Sequence, residues 1–480
     1  MPDTPRIDPA WAWERFRPDR ERPWDLKRVG HLHRRAGFGA THAELEEGVR
    51  GGVDAAIDRL LNARPSADLD AAWETLRTTI GQTNSGAQLP AAWVYRMLYS
   101  TQPLVEKMTL LWHDHFATSN AKVNNAGFML GQYELMRRHA LGNFGAMLRD
   151  MSHDAAMMVW LDTVDSRRDR PNENYARELM ELFSLGIPHP RDAGRRNYTE
   201  HDIREAAKAF TGWRIVAGRD VFQEAQHDGG EKTVFGRRGN WNWDDIVRFC
   251  LEHEACPFFI CRKLYDHLIS DIEAPSADLL EPLARQLKDG DYELRPVVER
   301  MLRSNLFFSD RCYRQKIKSP VEYVLGVVRG LEGHEGTGSR IATSQLTRSM
   351  EEMGQRVFYP PSVAGWDGGR AWLNAQTFLL RQNLALSLTS TTDDRFGRRT
   401  DPAALARRHD RRTNEQRVDF LLKVFLQGDV TAATRTRLLE YADNAARSRY
   451  PAFWSAEDAE DQRVRSLCHL VLCLPEFQLC

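Results

Sequence analysis

The side chains best suited to catalysis or metal binding lie in segment 171–186, whose sequence is PNENYARELMELFSLG. On a helical wheel of about 100° per residue, the charged side chains share one arc and apolar side chains fill the rest. The members of the polar arc are Glu173, Asn174, Arg177, Glu178 and Glu181. Neighbouring carboxylates can transfer protons or bind a hard divalent cation, and an arginine can anchor an anion. The pattern therefore predicts a polar site on a helix.

The boundaries of this helix also follow from its sequence. Asn172 suits the N-cap, because its side-chain oxygen can accept from the free amides of the first turn. Gly186 suits the left-handed residue that ends a helix, and Pro188 prevents the helix from resuming. The charges alone are also typical of a solvated helix face. The wide apolar arc and the additional asparagine favour burial, so an exposed face and a buried polar cluster are both open at this point.

A buried histidine is the predicted partner of these carboxylates. The helical stretch over residues 90–119 contains His113-Asp114-His115 near its end, and His115 falls on the apolar side. A buried imidazole needs partners for its ring nitrogens. The two histidines cannot chelate one metal from a regular helix, since residues i and i+2 do not face each other. His115 is therefore interpreted either as a structural histidine bonded to a carboxylate, or as an acid–base group or ligand.

Residues 214–238 have a different character from the helical segments around them. They are short, β-branched and punctuated by glycine, which predicts a small β-ribbon. A loop within this stretch, residues 227–236, carries His227, Asp228 and Lys232. Such a loop beside a helical core is expected to act as a lid. The Asp-Gly-Gly sequence is also explained by a turn alone.

These features predict a polar pocket between the helices at 104–119, 172–186 and 199–213, capped by the loop at 227–236. The predicted catalytic residues are Glu173, Glu178, His115 and His227. The predicted substrate-binding residues are Arg177, Asn172, Asn174, Asp228, Lys232 and Trp366. A divalent metal, if the site uses one, is expected on Glu178, Glu181 and His115.

Two classes of function fit this pocket. The first is a hydrolase, assisted by a metal if one is bound, that acts on a polar glycan- or phosphate-bearing substrate. The second is a non-catalytic binding or assembly protein, in which the same residues form a buried ion-pair network that fixes helix register. The motifs of nucleotide-binding proteins, zinc proteases and serine hydrolases are missing from the sequence.

Composition excludes further classes of function. The chain has 480 residues, of which 42% are hydrophobic and 28% charged, as in ordinary globular proteins. Its net charge of −1 gives no general attraction to nucleic acid, so no nucleic-acid partner is expected. We expect no membrane span and a cytoplasmic location, because no long apolar run and no apolar signal segment are present. The odd number of cysteines, seven, predicts free thiols.

The periodicities predict a mainly α protein: a large multi-helix body with a small β-ribbon insertion and a helical C-terminal portion. The expected organisation begins with an N-terminal arm at 1–25 and a helical core domain at 26–388. An exposed connection at 389–413, rich in arginine, aspartate and threonine, then leads to a C-terminal helical portion at 414–480 that packs on the core.

Seven phrases of the sequence carry a family resemblance. They are His31–Gly39, Trp112–Ser119, Asn172–Gly186, Tyr198–Trp213, Lys318–Glu322, Gly354–Asn374 and Pro475–Gln478. In these phrases the chain resembles the bacterial family catalogued as domain of unknown function 1800. It departs from the family at His113-Asp114-His115, where His-Asn-His is expected, and at Glu254-Ala255, where Pro-Ala is expected. The resemblance carries over no activity, but it implies export in some relatives and a neighbouring sulfatase-like protein of unknown function as a partner.

Overall fold

Helices built on the predicted apolar periodicities make up most of the chain. The computed structural model describes residues 7–335, 340–390, 392–397, 400–447 and 455–480. These residues form 23 α-helices and three two-stranded antiparallel sheets, which confirms the predicted mainly α fold. Parts of all four predicted segments lie outside the described residues, namely 1–6 of the arm, 336–339 of the core domain, 391 and 398–399 of the connection, and 448–454 of the C-terminal portion.

The first twelve helices precede or surround the predicted pocket. They are α1 (Pro9–Trp13), α2 (Leu26–Arg35), α3 (His42–Leu61), α4 (Ala67–Thr83), α5 (Leu89–Tyr99), α6 (Pro103–His115), α7 (Asn120–Val123), α8 (Ala126–Arg138), α9 (Phe144–Ser152), α10 (Ala155–Trp160), α11 (Asn174–Glu178) and α12 (Glu200–Ala209). A π-helix, Leu179–Ser184, follows α11 directly.

The other eleven helices complete the body and the C-terminal portion. They are α13 (Trp243–Glu252), α14 (Ala255–Leu268), α15 (Ala277–Asp289), α16 (Leu294–Leu302), α17 (Pro320–Gly330), α18 (Thr343–Glu352), α19 (Ala375–Thr389), α20 (Pro402–Arg408), α21 (Asn414–Leu426), α22 (Ala432–Arg447) and α23 (Ala456–Cys473). Short 3₁₀ turns occupy Thr163–Asp165, Glu224–Gln226, Gly369–Trp372 and Pro475–Gln478.

The strands form three hairpins where the sequence predicts one ribbon. The pairs are β1 (Pro188–His189) with β2 (Asp192–Arg196), β3 (Trp213–Val216) with β4 (Arg219–Phe222), and β5 (Lys232–Val234) with β6 (Arg237–Gly239). The last two pairs occupy the ribbon predicted at 214–238. The first pair is unexpected, because β2 is exposed at every residue and lacks the alternation by which a strand is recognised.

The start of segment 172–186 departs from the predicted helix, whereas its end agrees with the prediction. Asn172 is not the N-cap, which is Glu173. The Oδ1 atom of Asn172 instead accepts a hydrogen bond of 2.9 Å from the Asn174 N–H, so the predicted cap is a turn that precedes α11. Gly186 has a φ of +71°, as predicted for the residue that ends the helix.

The predicted exposed connection contains a buried helix, α20. Ala403, Leu405 and Ala406 are at most 2% exposed, and α20 packs against α23. The prediction of an exposed connection is therefore wrong for this part of 389–413. Its apolar stripe is hard to recognise in the sequence, because the segment is rich in arginine and the helix has only seven residues.

Two large clusters of buried apolar side chains form the interior, and α6 contributes to both. Leu104, Met108 and Trp112 belong to the cluster that includes α9, the π-helix and α12 to α16. Leu110 belongs to the cluster that includes α5, α8, α17 and α21. The end of α6 therefore lies where the two clusters meet. In the described residues, none of the helices combines the length and the apolarity that crossing a bilayer requires.

The cysteines lie almost entirely in this interior. All seven cysteines are free thiols, and only Cys473 is not fully buried.

The N-terminal arm reaches the core through Trp13, whose indole N–H donates to the Leu279 carbonyl at 2.6 Å. The Phe16 N–H donates to the Arg303 carbonyl at 2.7 Å. The described part of the arm therefore packs on α15 and α16.

Candidate functional site

The charged face predicted on segment 172–186 forms ion pairs at the surface. The guanidinium of Arg177 lies 3.1 Å from a carboxylate oxygen of Glu173 and 3.0 Å from one of Glu200. The Glu173 and Glu200 side chains are 40% and 55% exposed. Glu173 and Arg177 therefore contact solvent, which screens their charges. They do not belong to a buried polar cluster.

Glu178 and Glu181 lie half-buried beside this ion-pair group. Burial raises the pKa of Glu178, and the neighbouring charge of Glu181 raises it further. The hydroxyl of Tyr198 donates to Glu181 at 3.0 Å. Neither carboxylate has a histidine as a partner in the described residues.

His115 lies in the apolar interior, as predicted, but its partner is not a carboxylate. Its Nε2 atom donates to the Phe183 carbonyl in the π-helix at 3.0 Å. Burial lowers the pKa of His115 well below its usual value, so the ring is neutral. The interpretation of His115 as a histidine bonded to a carboxylate is therefore wrong, because the π-helix offers a backbone carbonyl instead.

The loop at 227–236 is fastened to the end of α12. His227 Nδ1 donates to the Thr211 carbonyl at 3.0 Å, and the Thr211 hydroxyl accepts from the Asp228 N–H at 2.8 Å. The buried ammonium of Lys232 donates to the carbonyls of Asp228 and Gly230 at 2.7 and 2.9 Å. These side chains hold the loop itself, which corrects their prediction as groups turned toward a substrate.

The structure therefore separates the predicted site residues. It brings together Glu173 with Arg177, and Asp228 with Lys232. His115, His227 and Trp366 lie on different segments with different partners. Among the described residues, no three His, Cys, Asp or Glu side chains are grouped so that they could hold a metal ion. This corrects the metal set of Glu178, Glu181 and His115, because the imidazole faces the π-helix backbone.

A second polar region, which the sequence does not reveal, is a cleft of about 360 Å³. We call it the charged cleft. It lies between the end of α6, the C-terminal half of α14, the start of α17 and the loop before α19. Its lining includes Asp114, Lys263, Asp266, His267, Asp271, Lys316, Trp366 and Trp372.

Asp114 joins this cleft to the loop before α19. Its Oδ1 atom accepts a hydrogen bond of 2.9 Å from the Trp366 N–H. Burial raises the pKa of the Asp114 carboxyl, although that hydrogen bond and the charges of Lys263 and Lys316 oppose the rise. Gly365 has a φ of +83°, and a Cβ there would lie 2.7 Å from the Asp114 carbonyl oxygen. Only glycine therefore lets the loop approach Asp114 so closely.

The two histidines that flank Asp114 anchor two other segments. His113 Nε2 accepts a hydrogen bond of 2.8 Å from the N–H of Phe358, a residue with a φ of +67°. Burial lowers the pKa of His113 to about 3, which keeps that nitrogen free to accept. His113, Asp114 and His115 thus hold Phe358, Trp366 and Phe183, respectively.

Most charges around the cleft are paired with each other. Arg262 lies 2.8 Å from Asp266, and Lys316 lies 3.6 Å from Asp271. Glu322, another lining residue, pairs with Lys107 inside the protein. Burial alone would raise the pKa of Glu322, but the Lys107 charge holds it well below its usual value.

His267 contributes a neutral imidazole to the same lining. Burial and the charges of Lys107 and Lys316 lower its pKa well below the usual value. Its Nε2 atom is buried and has no hydrogen-bond partner in the described part of the chain. The cleft therefore offers a half-buried carboxyl, a neutral imidazole and two tryptophans.

A family model described as "Protein of unknown function (DUF1800)" matches residues 31–479. The chain belongs to the DUF1800 family. No curated protein and no solved structure matches it. Three of the phrases that resemble the family, Trp112–Ser119, Lys318–Glu322 and Gly354–Asn374, all contribute to the charged cleft of this DUF1800 protein. The resemblance of those phrases to the family is the sequence feature that points to the cleft. The cleft residues on α14 lie outside all of the phrases.

Proposed function

We propose that this DUF1800 protein binds a glycan in the charged cleft and hydrolyses a glycosidic bond there. The observation that carries the proposal is the half-buried carboxyl of Asp114, whose pKa is raised by this burial, in a cleft of substrate size. A carboxyl whose pKa is raised keeps its proton to a higher pH and can donate it to a leaving oxygen. Asp114 is therefore the proposed proton donor.

Glycoside hydrolysis also needs a second carboxylate, which acts on water or on the sugar itself. Asp271 lines the same cleft, lies 3.6 Å from Lys316 Nζ and has a quarter of its side chain exposed. Water therefore reaches it. We assign the second carboxylate to Asp271 on this basis.

The lining supports a sugar over a phosphate-bearing ligand. Trp366 and Trp372 offer indole surfaces, against which the C–H faces of a sugar ring can pack. A phosphate monoester carries nearly two negative charges, but two of the three cations in the lining, Arg262 and Lys316, already pair with carboxylates. Hydroxyl groups can both donate and accept, which suits a lining of mixed charge.

The test compares the wild-type protein with Asp114→Asn on a panel of defined oligosaccharides. Asparagine keeps an oxygen for the Trp366 N–H but cannot donate a carboxyl proton. We expect reducing ends from the wild type, a rate at least about 100-fold lower from Asp114→Asn, and similar binding by both. The exposed Asp410→Asn is the matched control. Equal rates in the wild type and Asp114→Asn would rule out Asp114 as the proton donor.

The second candidate function is a non-catalytic binding or assembly protein. The observation that favours it is the internal pairing of Arg262, Lys316 and Lys107, as expected if the charges fix the packing of α6, α14 and α17. Oligosaccharide binding without release of reducing ends by the wild type would support binding alone. Co-purification of the neighbouring sulfatase-like protein would support assembly.

A further inference from the structure

Lys263 differs from the other cations of the charged cleft, because it has no ion-pair partner in the described residues. Arg262 is held by Asp266, and Lys316 by Asp271. The Lys263 ammonium lies 5.5 Å from the centre of the Phe259 ring, and it donates no hydrogen bond to another protein atom in the described part of the chain. An anionic group that enters the cleft therefore finds one cation available.

The position of Lys263 relates it to the proposed proton donor. Its charge lowers the pKa of Asp114 against the effect of burial, and it also lowers the pKa of His115. Lys263 and Asp114 line the same cleft, so the charge of Lys263 lies near enough to act on the Asp114 carboxyl. An anion bound to Lys263 would offset this charge, so Asp114 would keep its proton to a higher pH.

We propose that the sugar bound in the charged cleft carries one negative charge, as a uronate carboxylate or a sulfate ester, and that Lys263 binds this group beside Asp114. The proposal rests on the proposed glycan-binding function. One free ammonium matches one negative charge, whereas a phosphate monoester carries nearly two. The acidic group thus both positions the sugar and favours the protonated form of Asp114.

The experiment uses uronate oligosaccharides with their carboxyl-reduced forms, and sulfated oligosaccharides with their desulfated forms, in calorimetric titrations of the full chain. The wild type is expected to bind one acidic class at least about tenfold more tightly than its neutral form, with the preference weakened by salt. Lys263→Met should lose this preference and keep its affinity for the neutral form, while Lys263→Arg should retain the preference. Lys122→Met, at a surface lysine paired with Asp162, is the matched control.

The outcomes separate this inference from the function on which it rests. Equal affinity of the wild type for acidic and neutral forms overturns the acidic-sugar inference but leaves glycan binding intact. A preference that survives in Lys263→Met overturns the role of Lys263. Failure to bind any oligosaccharide overturns the proposed function itself. If a neutral substrate is cleaved, Lys263→Met should shift the high-pH limb of the pH–rate profile to higher pH. Without the Lys263 charge, Asp114 loses its proton at a higher pH.

Discussion

The backbone N–H of Trp366 donates a hydrogen bond of 2.9 Å to Oδ1 of Asp114, although 252 positions of sequence separate the two residues. This bond fastens the loop before α19 to the end of α6. His113 holds Phe358 at the start of the same loop. The wall of the charged cleft is therefore positioned by the helix that supplies its proposed proton donor.

Replacing Gly365 by alanine should destabilise the protein by at least about 2 kcal/mol. The alanine Cβ would strain a residue with a φ of +83° and would lie 2.7 Å from the Asp114 carbonyl oxygen. Gly236→Ala is the matched control, since its φ is +75° but no atom lies within 4 Å of the added Cβ. Denaturant unfolding of both variants measures the difference. Equal losses would show that the close approach to Asp114 does not matter.

Glu322→Gln should cost about 3–5 kcal/mol, because it leaves the buried ammonium of Lys107 without its anion. The two side chains are only 13% and 1% exposed. The control is Glu352→Gln, which breaks an exposed pair with Arg348 and should cost less than about 1 kcal/mol. Urea or guanidinium unfolding is the measurement. A loss of similar size in both variants would mean that the Lys107–Glu322 pair contributes no more than a surface pair.

His113 should make the stability of the protein depend on pH below neutrality. Its pKa is about 3 in the folded protein and about 6.5 when unfolded, so the unfolded chain binds the proton first as the pH falls. The stability that neutral His113 supports is therefore complete above pH 6.5 and is lost progressively toward pH 3.

The matched variant is His113→Gln, which keeps an acceptor for the Phe358 N–H but does not titrate. The advantage of the wild type over this variant should shrink by about 2 kcal/mol between pH 7 and pH 5. Unfolding curves at the two pH values test it. An advantage that is independent of pH would show that His113 is not held neutral.

The hydrogen bond from His115 to the π-helix predicts a third pair of variants. His115→Leu leaves the Phe183 carbonyl buried without a donor and should cost about 1–3 kcal/mol beyond any change in packing. His115→Gln places an amide N–H near the position of Nε2 and should recover part of that loss. The midpoints of thermal unfolding compare the two. A glutamine variant no more stable than the leucine variant would contradict this role.

Apolar periodicity is sufficient to predict the helical fold, because it reports which helix faces are buried. It also places His115 correctly in the interior, whereas Gly186 is predicted from the left-handed conformation that glycine adopts at helix ends. The partner of His115 is not predictable in this way, since a carboxylate and a backbone carbonyl satisfy the same N–H. The helical wheel also assumes 100° per residue, which the π-helix after Leu179 does not obey. The wheel therefore does not fix the position of Glu181 relative to Glu173.

The charged cleft could not be assembled from the sequence by spacing. Its polar side chains come from the end of α6, from 262–271, from 316–322, from 355 and from 366–372. No periodicity links these segments, so their meeting depends on how helices distant in sequence pack. Trp366 is the one predicted site residue that lies in this cleft.

Because every thiol except that of Cys473 is buried, the reactivity of each cysteine reports how often the structure around it opens. A maleimide reagent added to the native protein should tag position 473 first. The other six should react only when the surrounding helices separate. Mass spectrometry of each cysteine peptide over time would then rank the helices by how often they come apart, without any introduced probe.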